Sequence, residues 1–329
     1  MTNQTIRVLS REDVKKALSL KEAIALMKEA FVQLSSGLAV VPVRMNLEVP
    51  KEKGRVLFMP AYLEENRKIG VKIVSIMDEN PPNGLPLIHA MIVVLDSVTG
   101  QPLALMDGEY LTALRTGAAS GLATDLLARS DARVAAIFGA GVQGRAQLEA
   151  VCAVRTIERA FVFDVDPSKA VRFAREMQKK LAITIEVPNE LDLLKHADII
   201  CTATTATTPV FWHQHLRPGV HINGIGAYRP DMAEIPVETV QQAKVIVDHR
   251  PSCLREAGDL LQPLQAGLID TDHVYAEIGE IAAGTKPGRT SDTEITFFKS
   301  VGNAVQDLAA ASQALVNAEK LSLGTEVSP

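Results

Sequence analysis

The spacing of hydrophobic positions changes along this chain, and the change divides it. From 132 to 250, short apolar runs alternate with helical stretches. The runs at 134–138, 160–164, 183–187, 198–203, 220–225 and 244–248 predict strands, with helices such as 168–181 and 190–196 between most of them. Near-continuous apolar strands joined by crossovers predict a doubly wound parallel sheet covered on both faces. Residues 1–118 follow other periods. Ala23, Ile24, Met27, Ala30, Phe31 and Leu34 recur at a helical period in a segment starting near Leu20. Val41, Val43, Met45, Leu47 and Val49 alternate, as do Ile69, Val71 and Ile73. Runs at 91–95 and 103–106 are joined by Asp96-Ser97-Val98-Thr99-Gly100, a hairpin turn. These patterns predict a mixed or antiparallel sheet with one helix-covered face. A helix over about 303–320 follows a strand-like run at 294–298, departs from the βα rhythm, and is expected to return to the first domain. The expected fold class is α/β. A Rossmann-type doubly wound parallel sheet spans 119–301, and a second, α+β domain spans 1–118 and is completed by 302–329.

The densest chemical signal lies inside the parallel pattern. The strand Val134 to Phe138 meets Gly139-Ala140-Gly141-Val142-Gln143-Gly144, then a helix, then a second apolar run ending in Asp164. Gly139 permits a tight turn, Gly141 lets backbone approach a pyrophosphate, and Gly144 lets the helix pack close to the sheet. The first N–H groups of the helix then face the phosphates. Asp164 lies 25 residues after Gly139, near the usual spacing of about 20. A carboxylate there accepts from both ribose hydroxyls and repels a 2′-phosphate, so the expected cofactor is NAD(H). Loops after the fourth and fifth runs, Thr202 to Thr205 and Gly224 to Gly226, are expected to line the cofactor cleft.

Composition narrows the function classes. The 329 residues suggest about two domains, and 47% hydrophobic content can fill large cores. The net charge of −5, without a basic block, argues against nucleic acid or an anionic membrane as partner. No apolar run is long enough to span a membrane, and the stretch 1–13 has no signal-peptide core. Cys152, Cys201 and Cys253 are far apart and read as reduced thiols of a cytoplasmic protein. The histidines show no metal-ligand spacing.

Several charged residues stand out. Lys72 shares a strand face with Val74 and Ile76. It reads either as an ammonium for a carboxylate or proton transfer, or as a strand-end lysine reaching water. Arg44 lies on a polar face and reads as solvated or ligand-binding. Arg115 sits among small residues in TALRTGAAS, where a guanidinium is expected to meet a substrate carboxylate, a cofactor phosphate or a protein carboxylate. Asp231 follows the fifth strand near the expected cofactor cleft and reads foremost as a turn or helix N-cap residue, with a functional acid as the alternative.

Taken together, the segments MPAY (59–62), GVKIVS (70–75), TGQPLALMDGEYLTALRTGAAS (99–120), IFGAGVQ (137–143), HINGIGAYRPDMAE (221–234), AGDLL (257–261), IGE (278–280) and TFFKSVGNAVQDLAAA (296–311) resemble the ornithine cyclodeaminase/mu-crystallin family over nearly the whole chain. The resemblance implies a homodimer, with a substrate-binding and dimerisation domain and an NAD-binding domain. It places Arg44, Lys72 and Arg115 at the substrate carboxylate and reacting centre. Val142, Gln143 and Asp164 fall on cofactor positions, as do Arg115 and Thr116. Thr204, Ile225, Gly226, Ser300 and Val301 fall around the nicotinamide and substrate. One departure matters. Cyclodeaminases of the family carry an aspartate directly after the glycine pair of the fifth strand, where this chain has Tyr228. Its acid comes three residues later, at Asp231 in Arg229-Pro230-Asp231, as in the mu-crystallin-like, ketimine-reducing branch. Asp164-Val165-Asp166 differs from that branch and favours NADH. The expected activity is reduction of a small, cyclic ketimine or α-imino carboxylate by NADH, with Asp231 a weaker candidate for polarising the imine. The alternatives are an ornithine or lysine cyclodeaminase, an amino-acid dehydrogenase, or a non-catalytic NAD(H)-dependent binding protein.

Overall fold

A computed structural model describes residues 5–328, so the first four residues of the leader-free stretch expected at 1–13 lie outside the described residues. The chain forms two compact units, Met1–Arg115 with Asn303–Pro329, and Thr116–Gly302. The division falls within the helix Gly108–Leu127.

The first unit is built on an eight-stranded sheet. Thr325–Val327 pairs with Ile6–Leu9, and then follow Pro102–Asp107, Ile88–Asp96, Lys68–Met77 and Gly54–Leu63. Ala39–Val40 and Met45–Val49 both pair with Gly54–Leu63. All pairs are antiparallel except Ile6–Leu9 with Pro102–Asp107. The expected hairpin is present. Asp96 Oδ1 accepts from the N–H groups of Val98 and Thr99 at 3.0 and 2.8 Å, and Gly100 takes φ 75°. Two sequence expectations are corrected. The alternation from Val41 forms ladder only from Met45, because Pro42 has no N–H to donate. The ten-residue strand Gly54–Leu63 was not expected, since Arg55 and Pro60 interrupt its alternation.

Helix Leu20–Ser35 packs against the edge strand Ala39–Val40 and against helix Ala304–Lys320, which covers one face of the sheet. Ser19 caps the first by accepting from Glu22 N at 3.3 Å. Asn303 and Gln306 form a reciprocal capping box at the start of the second. That helix lies close to the strand Lys68–Met77. A Cβ at Gly70 would stand 2.7 Å from Leu308 Cδ1, so glycine sets the approach. On other positions of the sheet, Met45, Leu47 and Met91 are exposed.

The second unit holds an eight-stranded, all-parallel sheet. Its order is Thr184–Glu186, Arg159–Phe163, Val134–Phe138, Ile199–Thr202, His221–Gly224, Thr296–Lys299, Lys244–Val247 and Val274–Glu277. Residues such as Ala135, Ile137, Ile200 and Ile222 are fully buried, as expected for strands covered on both faces. The chain winds in opposite directions from Val134–Phe138, which makes the carboxyl ends of this strand and Ile199–Thr202 the switch point. The structure adds two details to the sequence reading here. The run near 294–298 enters the sheet between the fifth and sixth expected strands, and the helix that follows it belongs to the first unit. Val274–Glu277 adds an edge strand that four residues with polar Tyr275 and Glu277 did not announce. Among the described residues, no helix is long and apolar enough to cross a membrane.

Candidate functional site

The first unit buries a cluster of opposite charges. Lys72 lies in mid-strand between Met59 and Ile92 on the neighbouring strands, only 2% exposed. It does not reach water. Its Nζ lies 2.7 Å from Asp307 Oδ2. Arg115 Nε donates to Asp307 Oδ1 at 2.9 Å, and its Nη1 to Gln306 Oε1 at 2.8 Å. Asp307 therefore bridges two buried cations, and the close approach at Gly70 brings it within reach of Lys72. Arg115 has the internal ion-pair partner that its sequence setting allowed. Arg44 lies half-buried in the segment before Met45–Val49, near enough to act on Lys72 through its charge.

This environment changes the acidity of Lys72. Burial and the positive charge of Arg115 lower its pKa from 10.5 to about 7, against the opposing pull of Asp307. The ammonium is thus poised to give or take a proton near neutrality. Two buried amide donors nearby on the helix start, Asn303 Nδ2 and Gln306 Nε2, have no partner among the described residues. Buried donors next to two cations suit an anionic ligand group such as a carboxylate. The sequence reading passed over Asp307 and Gln306. The available signal was a polar Gln-Asp pair inside an alanine-rich helix, whose buried face includes both.

The second unit carries the glycine-rich turn. Gly139 has φ 97°, and a Cβ there would lie 2.5 Å from Ala203 O. A Cβ at Gly144 would collide with Gly139 O. At Gly141 the space is open, with nothing within 4 Å of where a Cβ would stand. Gly141 is also the N-cap of the helix Val142–Val154, and no side chain caps it. The two observations describe a cradle whose backbone can be approached by phosphate. Val142 is exposed, and Gln143 Oε1 is a buried acceptor without a partner among the described residues. Asp164 follows the strand Arg159–Phe163. It is held by Ala140 N on Oδ2 at 2.7 Å and by Asp166 N on Oδ1 at 2.9 Å. The acid thus fixes the turn and retains lone pairs for ribose hydroxyls. These residues fit a nicotinamide dinucleotide.

Beyond the next strands, the remaining candidates have defined partners. Thr204 is bonded to Glu234 through both its N–H and its hydroxyl, each at 2.7 Å. Ile225 and Val301 are buried, as is Thr116 in the helix Gly108–Leu127. Gly226 N donates to Glu234 at 2.7 Å. Ser300 gives its hydroxyl to buried Asp248 at 2.7 Å, so that group organises its own turn. Asp231 takes the turn position and not that of an inward functional acid. Its side chain is 63% exposed and pairs with Arg229 at 3.0 Å. The buried acid of this segment is Glu234, which the sequence reading missed. Tyr228 is half-buried and packs on the apolar core of the unit.

Residues 4–321 match the model of the Ornithine cyclodeaminase/mu-crystallin family, and the chain belongs to that family. It is 39% identical over 322 residues to a Delta(1)-pyrroline-2-carboxylate reductase of Bacillus cereus, covering 97% of this chain and 99% of that one. Among solved structures it is similar to the Thermococcus litoralis Delta(1)-pyrroline-2-carboxylate reductase in complex with NADH and L-proline. The TM-score is 0.94 and the identity 46%, over 98% of this chain and 100% of the other. An archaeal alanine dehydrogenase dimer with bound NAD gives a TM-score of 0.93 at 35% identity, over 98% and 99% of the chains.

Proposed function

We propose that this chain reduces a cyclic α-imino carboxylate, of the pyrroline- or piperideine-2-carboxylate type, to the cyclic amino acid. It is an NAD-dependent oxidoreductase, and the cofactor supplies the hydride. The observation that carries the reading is the buried lysine with a pKa near 7, set between an aspartate and an arginine. In this reading Arg115 and Arg44 hold the substrate carboxylate, and Val301 packs on the ring. Lys72 delivers its proton to the imine nitrogen as the carbon gains hydride, so the C=N bond becomes a secondary amine. Asp307 keeps the ammonium in place. Gly139, Gly141 and Gly144 with Val142 and Gln143 receive the pyrophosphate, Asp164 the ribose, and Thr204, Ile225 and Gly226 border the nicotinamide. The 1–115 unit, with the carboxy-terminal helix, is the substrate and dimerisation domain. Exposed apolar side chains on its sheet, and the dimeric alanine dehydrogenase among its neighbours, support a homodimer. The free, mostly buried cysteines support a cytoplasmic enzyme.

The test sets two assays side by side on one preparation with saturating NAD(H). Reduction of a pyrroline or piperideine carboxylate should exceed ammonia release from ornithine or lysine by at least about tenfold in kcat/KM. Tyr228 supplies no carboxylate where cyclodeaminases have one, and Asp231 points to solvent. Efficient conversion of ornithine to proline and ammonia would reverse this ranking. Turnover of neither substrate would leave a binding protein.

Cofactor choice gives a second expectation. NADH should be preferred to NADPH by at least about tenfold, because a 2′-phosphate would meet the fixed Asp164 carboxylate. In Asp164→Ser the preference should shrink, and NADH affinity should also fall since Ala140 N loses its acceptor. Comparing kcat/KM for both cofactors checks this, and a wild type that prefers NADPH would remove Asp164 from the ribose.

A further inference from the structure

Glu234 is fully buried in the second unit, yet the roles given above to the cofactor-side residues leave it without one. Its carboxylate joins two separate loops. Oε1 accepts from Thr204 N and Thr204 Oγ1, both at 2.7 Å. Oε2 accepts from Thr202 Oγ1 at 2.9 Å, Gly226 N at 2.7 Å and Ala227 N at 3.1 Å. Thr202 and Thr204 belong to the end of the strand Ile199–Thr202 and its loop, Gly226 and Ala227 to the loop after His221–Gly224. The contact is tight. A Cβ at Gly226 would stand 2.4 Å from Glu234 Oε1, so glycine is what admits the carboxylate.

The backbone of Glu234 is itself anchored. Asp259 Oδ1 accepts from Glu234 N at 2.7 Å and Ile235 N at 3.0 Å. Asp259 Oδ2 pairs with Lys299 Nζ at 2.8 Å, with both side chains fully buried. A Cβ at Gly258 would strike Met232 O, so the start of the helix Gly258–Gln265 is pressed against the segment leading to Glu234. A chain of contacts therefore runs from the strand Thr296–Lys299 through Asp259 to Glu234 and out to both loops.

We propose that Glu234, acting as an anion, is a positioning residue that locks these two loops into one arrangement and so fixes Thr204, Ile225 and Gly226 for hydride transfer. The proposal rests on the function stated above for its catalytic part, while the loop lock stands on the hydrogen bonds alone. Burial and the charge of Asp259 push the Glu234 pKa up, but all five groups facing the carboxylate donate to it, and three of them are backbone N–H groups that cannot accept, which favours the anion. Glutamine has the same size but turns one oxygen into a donor. In either orientation its NH₂ would face a backbone N–H, that of Thr204 on one side or those of Gly226 and Ala227 on the other.

The experiment compares the wild type with Glu234→Gln by amide hydrogen exchange, NADH titration and steady-state kinetics. Exchange at Thr204, Gly226 and Ala227 should accelerate at least about tenfold, with the strand Val134–Phe138 as protected as before. NADH Kd should stay within about threefold, because the glycine turn and Asp164 are untouched, while kcat should fall by at least about thirtyfold. Thr202→Val removes a single donor and should give the same pattern at smaller amplitude, which carries the test if the glutamine variant does not fold. Unchanged loop exchange, equal acceleration in the central strand, or fast loops with wild-type kcat would each overturn the proposal. A wild type that reduces no imino acid would refute the proposed reaction, and the exchange data would still decide for or against the lock.

Discussion

Lys72→Met is expected to lower kcat/KM for imine reduction by at least about a hundredfold, the scale of lost general acid catalysis, without destabilising the protein. Methionine keeps most of the apolar stem that packs between Met59 and Ile92. Asp307 retains Arg115 as its partner. Holding Lys72 charged inside the protein is costly. The drop in its pKa from 10.5 to about 7 corresponds to something on the order of 5 kcal/mol. The sign follows from proton counts. Between pH about 7 and 10.5 the unfolded lysine binds a proton that the folded one has released, so wild-type stability should rise with pH across that window. The methionine variant should lose that slope. Chemical denaturation at several pH values measures it, alongside kcat/KM. A fall in activity of less than about threefold would leave Lys72 a buried structural residue.

Asp307→Asn should produce the second large effect, on stability and on the pH profile together. Wherever Lys72 is protonated, the substitution leaves two buried cations facing a neutral amide, and at higher pH it leaves Arg115 without its carboxylate. Breaking a buried pair in this way costs roughly 3–5 kcal/mol. Asp307 also supports the protonated form of Lys72, so its loss should lower that pKa below about 7. In the wild type the reductive rate should decline as pH rises through about 7, where the ammonium is lost. In the variant the same decline should begin at least about one unit lower. A profile that does not move would mean that another group sets it.

The parts of the molecule that could be read in advance are those governed by local chemistry. The turn at 139–144 declares itself because tight curvature, close phosphate approach and helix packing each need glycine at a fixed offset. Asp164 follows from the same local geometry. The mixed sheet was less legible. Pro60 and Arg55 hide a ten-residue strand whose pairing on both sides supplies the regularity its sequence lacks. The strand Thr296–Lys299 looked like a prelude to the last helix, since nothing local says that it will insert between strands from earlier in the chain. Lys72 was conspicuous as a charge on an apolar strand, but its partner was not, because 192 residues separate Arg115 from the Asp307 that both cations share. Glu234 and Asp231 stand three positions apart in one turn. Only the fold reveals that the inward acid is Glu234.

The helix Ala304–Lys320 that carries Asp307 also has a bearing on biosynthesis. During translation the strand with Lys72 and the helix with Arg115 leave the ribosome long before Asp307 exists. Until it arrives, a lysine destined for an apolar interior has no counter-charge, which favours leaving that sheet face open to solvent or chaperones. The parallel-sheet unit, contained wholly within 116–302, has no such dependence and can mature earlier. Closure of the Lys72–Asp307–Arg115 cluster is then expected to follow completion of that unit. A chain arrested before Asp307 would be able to complete the parallel-sheet unit yet remain unable to assemble the Lys72–Asp307–Arg115 cluster, and ribosome-bound intermediates of increasing length would show that order.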